Sequence, residues 1–306
     1  ATGRLFHRFV AAREERGSRE TGEPNGSSGR YHRRRVVWNN PALFSSRWRI
    51  RTAFGPVDKA PGDLALFPME SRAVFDSISP LDHRYSQSNP ALYRELSRYL
   101  SESAAVRYCA RVEAALLSVH VTGHDELIRE LPDRVEPEAV YREEEKTHHN
   151  IRALVNVMRG LVPADVRPFV HLGATSVDIL DTAQAMRVRD CARNVILPRL
   201  AELVSSLAEL SVNHAETAQV GRTHGQHAVP ITFGYAIAEY AARLGKSTLS
   251  LERLVGDLRG KLAGAVGAYN ALSLVNADPV ATEKQMLEVL GLKPSEHSTQ
   301  LVEPEH

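Results

Sequence analysis

Histidine exchanges protons near neutral pH, and two histidines of this chain lie in a segment rich in glycine and polar residues. The segment is Gly221-Arg-Thr-His-Gly-Gln-His-Ala228, with His224 directly before Gly225. A histidine in such a loop could act as a general acid or base. Two other interpretations stay open. His224 and His227 could bind a metal ion, although no third ligand is near in sequence and Zn²⁺ normally has three or four; or His224 could be purely structural.

A second polar segment, Gly173-Ala-Thr-Ser-Val-Asp178, precedes a predicted helix. Free backbone N–H groups and the hydroxyls of Thr175 and Ser176 would favour a carboxylate or a phosphate at this helix N-terminus. Simple N-capping by Ser176 is the alternative interpretation of the same residues.

Three further polar segments interrupt the regular pattern, and they are Ser79–Tyr85, Thr147–Asn150 and Ser298–Gln300. Arg84 and Tyr85 place a planar cation beside a phenol, a combination suited to phosphate. His148 and His149 precede an amphipathic helix, where a doubled histidine is more often a surface feature than a catalytic one.

Helices must position these segments, because hydrophobic residues recur with helical spacing from Asn89 onward. Asn89-Pro90 predicts an N-cap followed by the first helical turn. Leucines and a valine between Leu200 and Leu210 form a narrow stripe, and Pro198 should kink or end the helix before it. A further long helix is predicted from about Pro230 to Gly260. We predict no strand and no hairpin, and therefore an all-α bundle of long helices that favours oligomerisation.

The composition excludes several classes of protein. The chain has 306 residues, a formal net charge of +1 and 43% hydrophobic residues, which is ordinary for a soluble globular protein. Its only cysteines, Cys109 and Cys191, cannot form a disulfide framework and favour a reducing, cytoplasmic compartment. No apolar run approaches the length of about 18 residues that a membrane helix needs.

Residues 1–68 differ in charge from the rest, with a balance of +7 against −6 for residues 69–306. This basic segment could bind nucleic acid or an anionic surface. Its six acidic residues argue against an organelle transit peptide. Regular patterning begins directly after Met69, so we expect residues 1–68 to be a disordered or non-native leader that precedes the true start.

Taken together and in this order, the polar segments resemble the adenylosuccinate lyase family of the fumarase/aspartase superfamily, over about residues 69–306. The most specific match is the segment 221–228 followed by Pro230-Ile-Thr-Phe-Gly234. Residues 264–270 and 298–300 support it. Fumarases and argininosuccinate lyases usually have leucine where this chain has Gly225, and the cycloisomerase branch usually lacks the histidine.

The resemblance implies an all-α lyase fold in two domains, a small N-terminal helical domain over 69–172 and the first part of a long-helix bundle over 173–306, truncated at the C-terminus. It implies a homotetramer with each active site built from three subunits. The implied reaction is a β-elimination that releases fumarate from adenylosuccinate and from the succinylated carboxamide ribotide, SAICAR. It requires no metal and no cofactor; the implied partners are purine nucleotide substrates, with no membrane and no nucleic acid.

The resemblance also assigns site residues. It implies that His224 is the general acid, that His149 is a second active-site histidine, and that the substrate is bound by Arg84, Tyr85, His148, Asn150, Thr175, Ser176 and Gln300. Asn150 departs from the family, which usually has aspartate there. The family's catalytic serine lies in a Gly-Ser-Ser-x-Met-Pro-His-Lys-x-Asn-Pro loop that these 306 residues do not contain. We therefore expect an inactive fragment.

Two alternatives remain at this point. The chain could be another superfamily lyase or a cycloisomerase, which Thr223-His224-Gly225 argues against. It could instead be a helical oligomerisation module or a nucleic-acid-binding module led by residues 1–68.

Overall fold

The computed structural model describes residues 78–79 and 86–303 of the chain. The predicted leader, residues 1–68, lies outside them. Within the described residues the helices are α1 Pro90–Leu100, α2 Glu102–His120, α3 Asp125–Arg134, α4 Pro137–Thr147, α5 Asn150–Leu161, α6 Ser176–Cys191, α7 Leu197–Asn213, α8 Phe233–Gly256 and α9 Pro279–Val289. None of these helices is long and apolar enough to cross a membrane. The predicted all-α class is confirmed, and the division at residue 172 stays a prediction.

The core is organised around α2, which packs against α1, α3, α4, α6 and α9. The hydrophobic residues that recur with helical spacing along α2 form one face, which is buried at Tyr108, Cys109, Val112 and Leu116. Other sides of α2 are buried too, and there the buried residues are small. Alanines let neighbouring helices approach closely; the buried ones are Ala104, Ala110, Ala114 and Ala115. The start of α1 also agrees with the sequence, since the Leu92 N–H donates to Asn89 Oδ1 at 3.1 Å.

A nearly continuous helical path joins α6 to α7. The five residues Ala192–Ile196 form a π-helical turn in which the Leu197 N–H donates to the Ala192 carbonyl. Pro198 has no N–H to donate, so the helix widens by one residue directly before it. The backbone stays right-handed helical through Leu197. The predicted interruption at Pro198 is therefore a local widening within one long helix.

The prediction of no strand and no hairpin was wrong. Strands β1 Ala218–Thr223 and β2 Gln226–Thr232 form an antiparallel hairpin between α7 and α8. Neither strand alternates apolar and polar residues, and most of their side chains are exposed, so the sequence carries no period of two. A register shift between Val220 and Arg222 accommodates the close approach of Gly221 to the Val229 carbonyl. A second, two-residue pairing joins β3 Arg259–Gly260 to β4 Lys293–Pro294 in parallel.

Helices α7 and α8 pack on each other, and few of their residues are buried. No residue of α7 is buried, and α8 buries Gly234, Gly245 and Val255. The large side chains they leave exposed are Leu203, Leu210, Val212, Tyr235, Tyr240 and Leu254. The predicted stripe from Leu200 to Leu210 thus lies partly on an uncovered surface.

Gly234 allows the tight connection between α7 and α8. Its N–H donates to the His214 carbonyl at 2.9 Å, and a Cβ on Gly234 would lie 2.7 Å from that carbonyl oxygen. Gly234→Ala is therefore expected to lower the free energy of unfolding by about 1–3 kcal/mol, because backbone must move. Urea denaturation followed by circular dichroism measures this.

Gly160→Ala is the matched control, since a Cβ there meets nothing within 4 Å in helix α5. It should be neutral or stabilise by about 0.5–1 kcal/mol. Equal losses in the two variants would contradict the account of Gly234.

Candidate functional site

The turn before α6 is held by its own aspartate. Thr175 is the N-cap residue, and Asp178 Oδ2 accepts the Thr175 N–H at 2.8 Å in a capping box. The interpretation that Ser176 is the cap was wrong, because Ser176 is the first residue of the helix. Its hydroxyl makes no hydrogen bond to any described residue, so it can bind a ligand at the helix N-terminus.

Asp178 also connects this turn to a distant loop. Its carboxylate is fully buried and forms an ion pair with Lys261, which is fully buried too. The same carboxylate accepts the Ala263 N–H at 3.3 Å and the Gly264 N–H at 3.2 Å. A buried charge is stable only when it is paired and hydrogen-bonded in this way. Asp178 therefore fixes residues 261–264 against the start of α6.

The C-terminal polar segment reaches the same place. The Val302 N–H donates to Asp181 Oδ2 at 3.0 Å, in the second turn of α6. Gly267, at φ +73°, lies so close to the Ser298 carbonyl that a Cβ would overlap it. Gln300 is exposed between these two contacts. The structure thus brings together residues 173–178, 261–267 and 298–302.

His171 lies at the same turn and was missed by the sequence analysis. It has left-handed backbone, with φ +66°, and its Nδ1 lies 2.6 Å from Glu113 Oε1. The Glu113 side chain is fully buried in the apolar centre of α2. A charged residue between the buried residues Val112 and Ala114 was the available signal, because such a group needs a partner.

His148, His149 and Asn150 form the junction between α4 and α5. His148 ends α4 with φ +52°, and His149 caps α5 by accepting the Arg152 N–H on Nδ1 at 3.2 Å. This bond leaves Nε2 of His149 as the nitrogen that can bind a ligand. Asn150 Oδ1 accepts the Ile151 N–H at 2.7 Å. All three residues are exposed.

This junction is separated from the turn by the length of α5. At the other end of the helix, Arg159 donates to the Val170 carbonyl at 3.4 Å. With a rise of about 1.5 Å per residue, His149 lies about 15 Å along the helix from Arg159. The α4–α5 junction and the turn before α6 are therefore spaced to bind opposite ends of one nucleotide-sized molecule.

His224 occupies the tip of the β1–β2 hairpin. His224 and Gly225 have φ of +51° and +70°, and they form a two-residue turn between the paired residues Thr223 and Gln226. Two successive left-handed residues suit the twist of a tight hairpin, and glycine adopts this backbone without strain. The His224 ring is exposed, with Nδ1 3.2 Å from Thr223 Oγ1.

His224 cannot meet the turn before α6 within one chain. The helical path from Ser176 to Asn213 is about 55 Å long at a rise of about 1.5 Å per residue. A six-residue strand folded fully back would recover about 20 Å. More than about 30 Å therefore separates His224 from Ser176, and a site containing both needs two copies of the chain.

Arg84 and Tyr85 lie outside the described residues. Across the part that the structure describes, no three His, Cys, Asp or Glu side chains form a group that could hold a metal ion.

A family model described as "Lyase" matches residues 86–304. The chain is 34% identical to adenylosuccinate lyase of Pyrococcus abyssi over 236 residues, which are 74% of this chain and 50% of that protein. It is 34% identical to adenylosuccinate lyase of Thermotoga maritima over 227 residues, 74% of this chain and 48% of that protein. The chain thus spans about half the length of these curated relatives, and the predicted resemblance is confirmed.

Solved structures agree on the fold. A fumarate lyase from Mesorhizobium superposes with a TM-score of 0.60 at 24% identity, covering 67% of this chain and 49% of that one. A 3-carboxy-cis,cis-muconate lactonizing enzyme from Pseudomonas putida superposes with a TM-score of 0.59 at 27% identity, covering 66% and 48%.

Proposed function

The chain belongs to the lyase family whose model matches residues 86–304, and from that membership we propose that it is part of an adenylosuccinate lyase. The reaction would release fumarate from adenylosuccinate to give AMP, and from SAICAR to give the carboxamide ribotide AICAR. The observation that carries this proposal is the convergence of residues 173–178, 261–267 and 298–302 at the half-buried N-terminus of α6. They include the Gly-Ala-Thr-Ser turn and overlap residues 264–270 and 298–300, which support the resemblance to the family.

The reaction is a β-elimination that needs an acid, a base and fixed hydrogen-bond donors. A base removes a proton from the carbon beside a carboxylate, the C–N bond breaks, and the departing nitrogen takes up a proton. Negative charge builds on the carboxylate in the transition state, so donors fixed around it lower the barrier. Thr175 and Ser176 suit this part, because they lie at the positive end of the α6 dipole.

His224 is the proposed general acid. Its ring is exposed at the hairpin tip and forms no ion pair in the described part of the chain. A hairpin tip projects from its own subunit, so the ring can reach a cleft in a neighbouring subunit. Protonation of the leaving nitrogen by such a group contributes typically about 10²–10⁴-fold in rate. His149 would serve as the second active-site histidine and would bind the substrate through Nε2.

The nucleotide would extend from the α6 turn toward the α4–α5 junction. His148 and Asn150 flank His149 there, and Gln300 would bind the succinyl end. Arg84 and Tyr85 would bind the phosphate. Asn150 in place of aspartate keeps an acceptor and removes a charge beside His149.

The catalytic base is proposed to come from outside these 306 residues. No Gly-Ser-Ser-x-Met-Pro-His-Lys string occurs in the sequence, and no other segment of the 306 residues matches that loop. The 306-residue chain by itself is therefore proposed to be inactive, and catalysis belongs to the product of the whole gene.

Assembly as a homotetramer is part of this proposal. The separation of His224 from Ser176 requires at least two copies in each site. The exposed apolar residues on α7 and α8, Leu203 and Tyr240 among them, suit a long-helix interface between copies. A cytoplasmic location is also part of the proposal, and it is supported by the buried, reduced thiols of Cys109 and Cys191, which favour a reducing compartment.

One alternative has an observation in its favour. The lactonizing enzyme superposes about as well as the fumarate lyase, at 27% identity. Thr223-His224-Gly225 argues against a cycloisomerase, because that branch usually lacks the histidine. A nucleic-acid-binding role for residues 1–68 rests on their charge alone.

An ultraviolet assay of the whole gene product separates these functions. Adenylosuccinate should be cleaved to AMP and fumarate without added metal or cofactor, and a carboxymuconate lactone precursor should remain unchanged. Lactone formation with no fumarate release would replace the lyase proposal by the cycloisomerase. Salt-dependent nucleic-acid binding that disappears on deletion of residues 1–68, without either activity, would favour the binding module.

A further inference from the structure

Glu113 is a buried acid whose only hydrogen-bond partner in the described residues is a histidine at the proposed site. Its side chain is fully buried, and Oε1 lies 2.6 Å from His171 Nδ1. The second oxygen, Oε2, is buried without a partner among the described residues. A buried carboxylate is costly unless it is paired, so packing alone does not account for Glu113 in the middle of α2.

The pair fixes the direction of the His171 ring. Nδ1 points inward to Glu113, while Nε2 makes no hydrogen bond to a described residue and the side chain keeps 22% of its surface exposed. The left-handed backbone at His171, followed by Gly173 at φ +81°, turns the chain sharply toward Thr175. The free nitrogen of the ring therefore lies on the accessible side of the turn that begins α6.

The charges around the ring favour its protonated form. Burial lowers the pKa of His171. The hydrogen bond to Glu113 and the negative charges of Glu113 and Asp178 raise it by more, so the net pKa lies above the ordinary value of 6.5. Arg159 on α5 acts in the opposite direction. The other titratable groups of α2 nearby are Cys109, whose thiol pKa burial and Glu113 raise to about 12, and His120, whose pKa burial lowers.

We propose that Glu113 is a positioning residue that orients His171 through Nδ1, so that the Nε2–H of His171 meets an anionic group of the substrate beside Thr175. The arrangement resembles a carboxylate that fixes the orientation of an imidazole through one ring nitrogen. The inference rests on the proposed function, since it takes the bound anion to be a carboxylate or the phosphate of the proposed substrate. Glu113 acts only through His171 and touches no substrate atom.

The test uses the 306-residue chain and observes the His171 ring by NMR, assigned by comparison with His171→Gln. The wild-type ring should titrate with a pKa above 6.5. In Glu113→Gln the pKa should fall below 6.5, because burial remains and the negative charge is gone. Asp190→Asn is the matched control: Asp190 is a partly buried acid that pairs with Tyr108 and Arg189 at the far end of α6.

Fumarate and inorganic phosphate are then added separately at pH 6. We expect one of them to shift the His171 signal saturably, and its apparent Kd should rise at least about tenfold in Glu113→Gln and stay unchanged in Asp190→Asn. The responding anion tells whether the carboxylate end or the phosphate end binds there. Equal binding by Glu113→Gln, or a wild-type ring that responds to neither anion, overturns the proposal.

The wild-type titration decides alone if Glu113→Gln fails to fold, because a ring that titrates without responding to anions would make the pair purely structural. The readout is a ring signal and not turnover. Absence of fumarate release from the whole gene product would therefore count against the proposed function and leave this result standing.

Discussion

His224→Ala in the product of the whole gene is expected to lower kcat for adenylosuccinate by about 10²–10⁴-fold, the contribution of a positioned general acid. Substrate affinity should change little, because the proposed contacts to phosphate and carboxylate lie on other segments. Folding should also survive, since the His224 ring is exposed and, among the described residues, its one hydrogen bond is with the neighbouring Thr223. Steady-state kinetics with circular dichroism measure all three.

His227→Ala is the matched control, because His227 lies on the same hairpin and is exposed as well. It should keep most of the activity. Each assay is repeated with a chelator. Inactivation of wild type by the chelator would favour the metal interpretation of His224 and His227. Full activity of His224→Ala would remove it from the mechanism and leave His149 as the candidate acid.

The sequence predicted the helices because their signals are local. The Asn89 side chain caps α1, and the spacing of Tyr108, Val112 and Leu116 alone identifies the buried face of α2. The hairpin at 218–232 carries no such signal. Its strands are exposed and irregular, and their pairing depends on two left-handed residues, His224 and Gly225, whose backbone only the structure reveals.

Parts of the candidate site were predictable for a different reason. The segments at 173–178 and 298–300 depart from the helical pattern, and the structure places them together through Asp178 and Asp181. The charge of Glu113 on a buried helix face signals that it needs a partner, but the sequence does not identify that partner as His171, which lies 58 residues away. The distance from His224 to Ser176 follows from one long helix, which the sequence had divided at Pro198.

Because His224 and Ser176 lie so far apart in one chain, we expect activity to be recovered when two inactive variants are mixed. His224→Ala should retain about 1% of wild-type activity or less by the general-acid estimate, and Thr175→Ala/Ser176→Ala should be comparably impaired because it removes the hydroxyls at the N-terminus of α6. If each site takes His224 and the α6 turn from different copies, random reassembly of equal amounts leaves about a quarter of the sites with both intact. Activity should then rise to about a quarter of the wild-type value, roughly 25-fold above either parent.

The experiment dissociates and reassembles the two variants of the whole gene product together, and each alone as the control. Sedimentation verifies that mixed oligomers of one size have formed. If activity is recovered only in the mixture, His224 and the α6 turn must act on one substrate from different chains, because no chain in the mixture has both groups intact. A mixture of fully formed oligomers that stays as inactive as its parents would mean that each site draws both groups from a single copy, which the helical path of about 55 Å from Ser176 to Asn213 forbids. Such a result would therefore exclude His224 or the α6 turn from the site.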